Sequence, residues 1–151
     1  MNFYEQSIIP YQKVGEVKLG YNQKVVENIF KQNNLKYSIR KCSNHELSIK
    51  VPWIILTVDN VMECIFAEDK LWRIDVLEKY RGVLSNGIGI GVTVEEAMKI
   101  DKGIRFDDFE EIYMSSEGYW FEDVLPEKII NSICIFDKEQ AQRFYGNIVS
   151  E

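Results

Sequence analysis

Histidine is nearly missing from this chain, which has one, His45, among 151 residues. A single imidazole excludes a histidine-rich metal centre and any relay between two histidines within the chain. Cysteine is scarce and scattered, at Cys42, Cys64 and Cys134, with no CxxC pair, so free buried thiols are expected. Three prolines and nine glycines exclude collagen-like and low-complexity chains. No apolar run approaches the ~18 residues of a membrane-crossing helix; the longest, Trp53 to Val58, is the size of a strand. The opening Met1-Asn2-Phe3-Tyr4-Glu5-Gln6 has neither the basic nor the apolar segment of a secretory signal, so a cytoplasmic protein without a membrane partner is expected. Positive charge is in deficit. Eighteen basic residues against 24 acidic ones give a net charge of −6, which argues against direct nucleic-acid binding.

What is present is apolar and aromatic: 46% of residues are hydrophobic and 13% are Phe, Trp or Tyr. A chain of this length and content can bury its own core, and we expect one domain, residues 1–151, and a monomer.

The chain resembles itself. Gly15-Glu16-Val17-Lys18-Leu19-Gly20-Tyr21-Asn22 aligns on Asn86-Gly87-Ile88-Gly89-Ile90-Gly91-Val92-Thr93. Each segment alternates aliphatics, places a glycine and an apolar residue, and ends on a side chain that caps helices. Two short helices are therefore predicted. The first starts at Asn22, ends near Asn33 and buries Val25, Val26, Ile29 and Phe30; the second starts at Thr93, with Glu96 at the capping-box spacing, and buries Val94, Ala97 and Met98. A second match sets Trp72-x-x-Asp75-Val76-Leu77 on Trp120-x-x-Asp123-Val124-Leu125 and makes the two tryptophans equivalent.

Both copies read as hairpins: Val61–Ala67 turning at Glu68-Asp69-Lys70 into Leu71–Val76, and Phe109–Met114 turning at Ser115–Gly118 into Tyr119–Val124. Tyr37–Cys42, Glu46–Val58 and Ile129–Phe136 are strand-like, with a turn at Ser43-Asn44-His45. A last short helix can run from Asp137 to Gly146. The expected fold is α+β, a mostly antiparallel sheet built from two tandem αβββ-like repeats, roughly residues 14–77 and 86–136.

Catalytic signals are weak. His45 sits in a polar turn, and Cys42 nearby has no nucleophile-elbow or oxyanion-loop signature beside it. Gly87-Ile88-Gly89-Ile90-Gly91 is GxGxG, without the spacing of a dinucleotide loop or the lysine of a phosphate loop, and reads as a strand leading into a helix. Asp107-Asp108-Phe109-Glu110-Glu111 lacks the spacing of a calcium loop. No cofactor is expected.

Charge is unevenly placed. Residues 1–75 hold 10 basic and 9 acidic residues, whereas residues 76–151 hold 8 and 15. The window from Asp101 to Glu127 has nine acidic residues against Lys102 and Arg105, interleaved with aromatics. Alternation sends Tyr119 and Trp120 to opposite faces, so one of them is expected to face outward. Asp107, Asp108, Glu110, Glu111, Glu117, Tyr119 and Trp120 are therefore the candidate partner-binding residues, suited to a basic protein.

Ile8-Ile9-Pro10-Tyr11-x-x-Val14-Gly15-x-Val17-x-Leu19-Gly20, with the later Gly-Ile-Gly-Ile-Gly-x-Thr-x-Glu-Glu, resembles small bacterial immunity proteins found beside polymorphic or contact-dependent toxins. The opening is also similar to the start of BamE-like outer-membrane assembly modules, but without their lipoprotein signal. The first resemblance implies a non-enzymatic inhibitor that covers the active or substrate surface of a cognate C-terminal toxin domain, often a basic nuclease. Its acidic hairpin would mimic nucleic-acid phosphates or occupy the toxin's basic cleft. Two other readings stay open: a structural or regulatory binding module with no toxin partner, and a metal-dependent hydrolase using the carboxylates from Asp107 to Glu111.

Overall fold

The structure, a computed structural model, describes residues 2–42 and 51–146. The turn expected at Ser43-Asn44-His45, and His45 with it, lies outside the described residues.

Three two-residue strands, β1 (Ile8–Ile9), β2 (Lys13–Val14) and β3 (Val17–Lys18), form a small antiparallel sheet ahead of the first helix. Helix α1 (Gln23–Gln32) begins where the Asn22 carboxamide accepts the Val25 N–H at 3.0 Å. Helix α2 (Val94–Ile100) begins where the Thr93 hydroxyl accepts the Glu96 N–H at 3.1 Å. Helix α3 (Lys138–Tyr145) is capped by Asp137, which accepts from the Gln140 N–H at 2.9 Å, and stops at Gly146 with φ +68°. All three starts use one short polar side chain to satisfy an orphan amide. The described residues thus hold three α-helices, the two that head the repeats and the last one expected between Asp137 and Gly146, and none is long and apolar enough to cross a membrane. Helices this short bury a narrow stripe. Val26 with Phe30 and Val94 with Ala97 supply it, while Val25 and Met98, expected in the core, are exposed.

The main sheet has eight antiparallel strands: β4 (Ser38–Cys42), β5 (Trp53–Val58), β6 (Met62–Ala67), β7 (Lys70–Val76), β8 (Ile104–Asp107), β9 (Ile112–Ser115), β10 (Tyr119–Val124) and β11 (Ile129–Phe136). Their order, β4-β5-β6-β7-β11-β10-β9-β8, reads alike from either edge: four strands following a helix meander to the centre, where β7 meets β11. The two glycines of the helix starts correspond across that centre. Gly20 donates to the Leu71 carbonyl at 2.7 Å, and Leu71 donates back to Tyr21 at 2.8 Å; Gly91 and Val92 make the same pair of bonds with Ile130, each at 2.9 Å. Both glycines hold φ near +95°, at +95° and +97°, where an L side chain is strained.

This order corrects two expectations. Helices α1 and α2 are each followed by four strands rather than three. Trp72 and Trp120 do lie on the second strand of a hairpin, but the counterpart of Trp72's strand β7 is β11, not Trp120's strand β10.

Both faces of the sheet's central strands are covered. On one side lie α1, α2, the small sheet and the connection through Tyr80, Leu84 and Ile88, packed on Leu56, Met62, Ile74, Phe121 and Ile133. On the other, Ala141, Phe144 and Tyr145 of α3 pack on Trp53, Trp72, Trp120 and Phe136. Glu68 and Asp69, at φ +52° and +58°, form the two-residue turn between β6 and β7 that suits the twist of a hairpin. A register shift beside Ile65 and Phe66 then turns Trp72 and Arg73 towards the same face, that of α3.

Candidate functional site

Of the carboxylates from Asp107 to Glu111, Asp107 ends β8 and the others lie beyond it, off any strand. They form the turn between β8 and β9, where Asp107 Oδ1 accepts the Phe109 N–H at 3.0 Å and the Glu110 N–H at 3.3 Å. The Glu111 N–H donates to the Asp107 carbonyl at 2.8 Å, and Glu111 takes φ +57°. An aspartate side chain that captures the amides two and three residues on competes with strand pairing, so β9 begins at Ile112 and not at Phe109. The turn thrusts the Phe109 ring into solvent, 90% exposed, between two carboxylates on either side.

The next turn at the same end of the sheet, between β10 and β11, adds Glu127 beside Leu125, which is 68% exposed. Glu122 and Asp123 stand at the end of β10 leading into it. One end of the sheet is therefore acidic with apolar tips. Glu117 is not part of it: it lies in the turn between β9 and β10, at the opposite end, its N–H donating to Ser115 Oγ at 3.0 Å.

Tyr119 and Trp120 do point to opposite faces, but neither faces outward. Tyr119 is 1% exposed and Trp120 6%. Alternation decides which face a ring takes; it does not leave a face bare when layers cover both.

Asp101, also in the acidic window, is buried too, at 9% exposure. Its Oδ1 accepts the Gly103 N–H at 2.9 Å, and its Oδ2 accepts both the Ser115 and the Tyr119 hydroxyls at 2.6 Å. Burial works to raise its pKa, but these three donors outweigh that and hold it below the usual carboxylate value. The same contact, after burial, pushes the Tyr119 hydroxyl pKa up. An open groove of about 700 Å³ runs past this cluster, lined by Asn86, Ile100, Lys102 and Glu117 among others.

A smaller cavity, about 140 Å³, opens beside α3 on the other face. Asp75 (β7), Cys134 (β11) and Trp120 (β10) face one another as direct cross-strand partners along its floor. Arg73 binds Asp75 through two parallel bonds, Nε to Oδ1 at 2.8 Å and Nη2 to Oδ2 at 3.1 Å, and its Nη1 donates to the Tyr145 hydroxyl at 2.5 Å. Burial opposes the Arg73 charge, but Asp75 more than compensates and the pKa stands well above its usual value. Burial likewise drives the Cys134 pKa far up, so it is a thiol and not a nucleophilic thiolate. Glu110, Ile112, Glu122 and Ser132 complete the walls. Among the described residues, no three His, Cys, Asp or Glu side chains are grouped so that they could hold a metal ion. Nothing in the sequence flagged this cavity, because its lining comes from four strands and a helix; the only local sign was the i, i+2 pair Arg73 and Asp75.

No protein family matches the chain, and neither a curated protein nor a solved structure matches it.

Proposed function

We propose that this protein is a non-enzymatic binding protein of the cytoplasm, an immunity protein that neutralises a cognate basic toxin domain by covering its active or substrate surface. The observation that carries the reading is Phe109, an almost fully exposed aromatic ring held at the tip of a hairpin by an aspartate-capped turn and surrounded by Asp107, Asp108, Glu110 and Glu111. An exposed aromatic is an anchor suited to a partner's pocket, and flanking carboxylates steer a basic partner onto it. The binding set is thus the acidic end of the sheet, with Glu122, Asp123, Leu125 and Glu127 joining it, and without Glu117, Tyr119 and Trp120. The corresponding bonds of Gly20 and Gly91 support a further reading, that residues 14–77 and 86–136 are tandem copies of one unit of a helix and four strands.

The test is a search of the neighbouring genes for a C-terminal toxin domain, followed by co-expression with it. The wild type should protect the cells and copurify with the toxin in equal amount; F109A combined with D108K and E111K should lose both while still folding. Full protection by that triple variant would overturn the assignment of the face. Absence of any complex between the folded wild type and the toxin would overturn the reading itself and favour a binding module without a toxin partner.

A further inference from the structure

The cavity beside α3 has a shape and chemistry that the acidic end alone does not explain. At about 140 Å³ it falls well below the roughly 300–1,000 Å³ of sites that hold cofactors or metabolites, and matches the end of one side chain. Its aromatic lining is Trp120, Phe121 and Tyr145; the Trp120 and Tyr145 rings pack on each other with centroids 5.5 Å apart, and the Arg73 guanidinium lies over the Tyr145 ring at 5.9 Å. Its ionised groups are Asp75, Glu110 and Glu122 against Arg73 alone, and Arg73 is already committed to Asp75. An aromatic wall with surplus negative charge attracts a cation through ring faces and carboxylates together. Glu110 belongs both to this wall and to the acidic turn that bears Phe109, so the cavity is continuous with that end of the sheet.

We propose that this cavity is a specificity pocket for one arginine or lysine side chain of the partner, its stem laid against the Trp120 ring and its charge towards Glu110 and Glu122. The proposal rests on the reading of the protein as a binder of a basic partner, but its test does not need that partner. N-acetyl-arginine amide, N-acetyl-lysine amide and the uncharged N-acetyl-norleucine amide are titrated into the full chain by two-dimensional NMR. The cationic probes should produce saturable shifts at Ile112, Ser132, Tyr145 and the Trp120 indole, and the norleucine probe should not. E110Q and E122Q should each weaken the cationic probes about tenfold, the lower end expected for losing a close charge pair, whereas E117Q at the far end of the sheet should change nothing. No saturable shift, equal binding of the norleucine probe, or full binding to E110Q/E122Q would each overturn the pocket. If the probes fail while the Phe109 triple variant still loses the toxin, only the pocket falls; if they bind while no toxin complex forms, only the partner reading does.

Discussion

Arg73 lies edge-on to Asp75, two residues along the same strand, and the same guanidinium reaches across to Tyr145 at the end of α3. Strand alternation puts residues i and i+2 on one face, so the pair needs no loop to bring it together. The third bond makes it a clasp between the sheet and the helix above.

Removing that clasp should cost stability. The two side chains are 21% and 15% exposed, so Arg73→Ala should fall somewhat below the roughly 3–5 kcal/mol of breaking a fully buried pair. Arg73→Lys should recover little of it, because an ammonium cannot make the two parallel bonds. Tyr145→Phe removes an acceptor from the charged guanidinium and should cost about 1.5–3 kcal/mol. Urea unfolding of the three variants checks the order.

Asp101 gives the protein an acid-sensitive element. Its pKa is lowered in the folded state, so its stabilisation is fully present above the ordinary carboxylate pKa. It is lost as pH falls through the lowered native value. Asp101→Asn should therefore be markedly less stable than the wild type at neutral pH, and the gap should shrink on acidification. Tyr119→Phe removes one donor to the charged carboxylate and should cost about 1.5–3 kcal/mol at neutral pH. Unfolding free energies measured across the acid range test both; a gap that widens towards low pH would contradict the assignment.

Tyr119→Ala and Trp120→Ala should each destabilise the fold by roughly 3–5 kcal/mol, because each ring fills a core, on opposite sides of the sheet. Tyr119→Ala should have no binding effect beyond the loss of fold, whereas Trp120→Ala also removes a wall of the α3 cavity. Chemical denaturation beside partner affinity separates the two effects.

Phe109→Ala should leave stability within about 0.5 kcal/mol of the wild type and raise the dissociation rate of the complex. Asp108→Lys with Glu111→Lys should instead slow association, an effect that shrinks as salt rises towards ~1 M, where the Debye length is about 3 Å. Surface plasmon resonance at several salt concentrations distinguishes the anchor from the steering charges.

What could be read in the residues was mostly local chemistry. Asn22, Thr93 and Asp137 mark helix starts because each satisfies an amide two or three positions on, and nothing distant interferes. The β6–β7 hairpin was legible for the same reason. Asp107 misled because its side chain closes a turn inside what looked like an alternating strand. The face of Tyr119 and Trp120 was readable, but their burial depended on α2, α3 and the connection before α2, none of which is adjacent to them in the chain. The small sheet of β1 to β3 was missed because two-residue strands are too short to show a period.

Six of the seven ladders in the main sheet join strands that follow one another along the chain; only β7 and β11 meet from afar, Val76 against Ile133. Strands β5 to β7 and β8 to β11 are joined by short turns, whereas this seam pairs residues more than fifty positions apart and carries the long-range contacts of the sheet. The α3 cavity straddles that seam, with Arg73 and Asp75 on one side and Trp120, Glu122, Ser132 and Cys134 on the other. Neither half possesses it alone. A nascent or proteolysed chain can carry every residue of the acidic turn and still have no pocket, so a partner that probes both recognises a finished molecule.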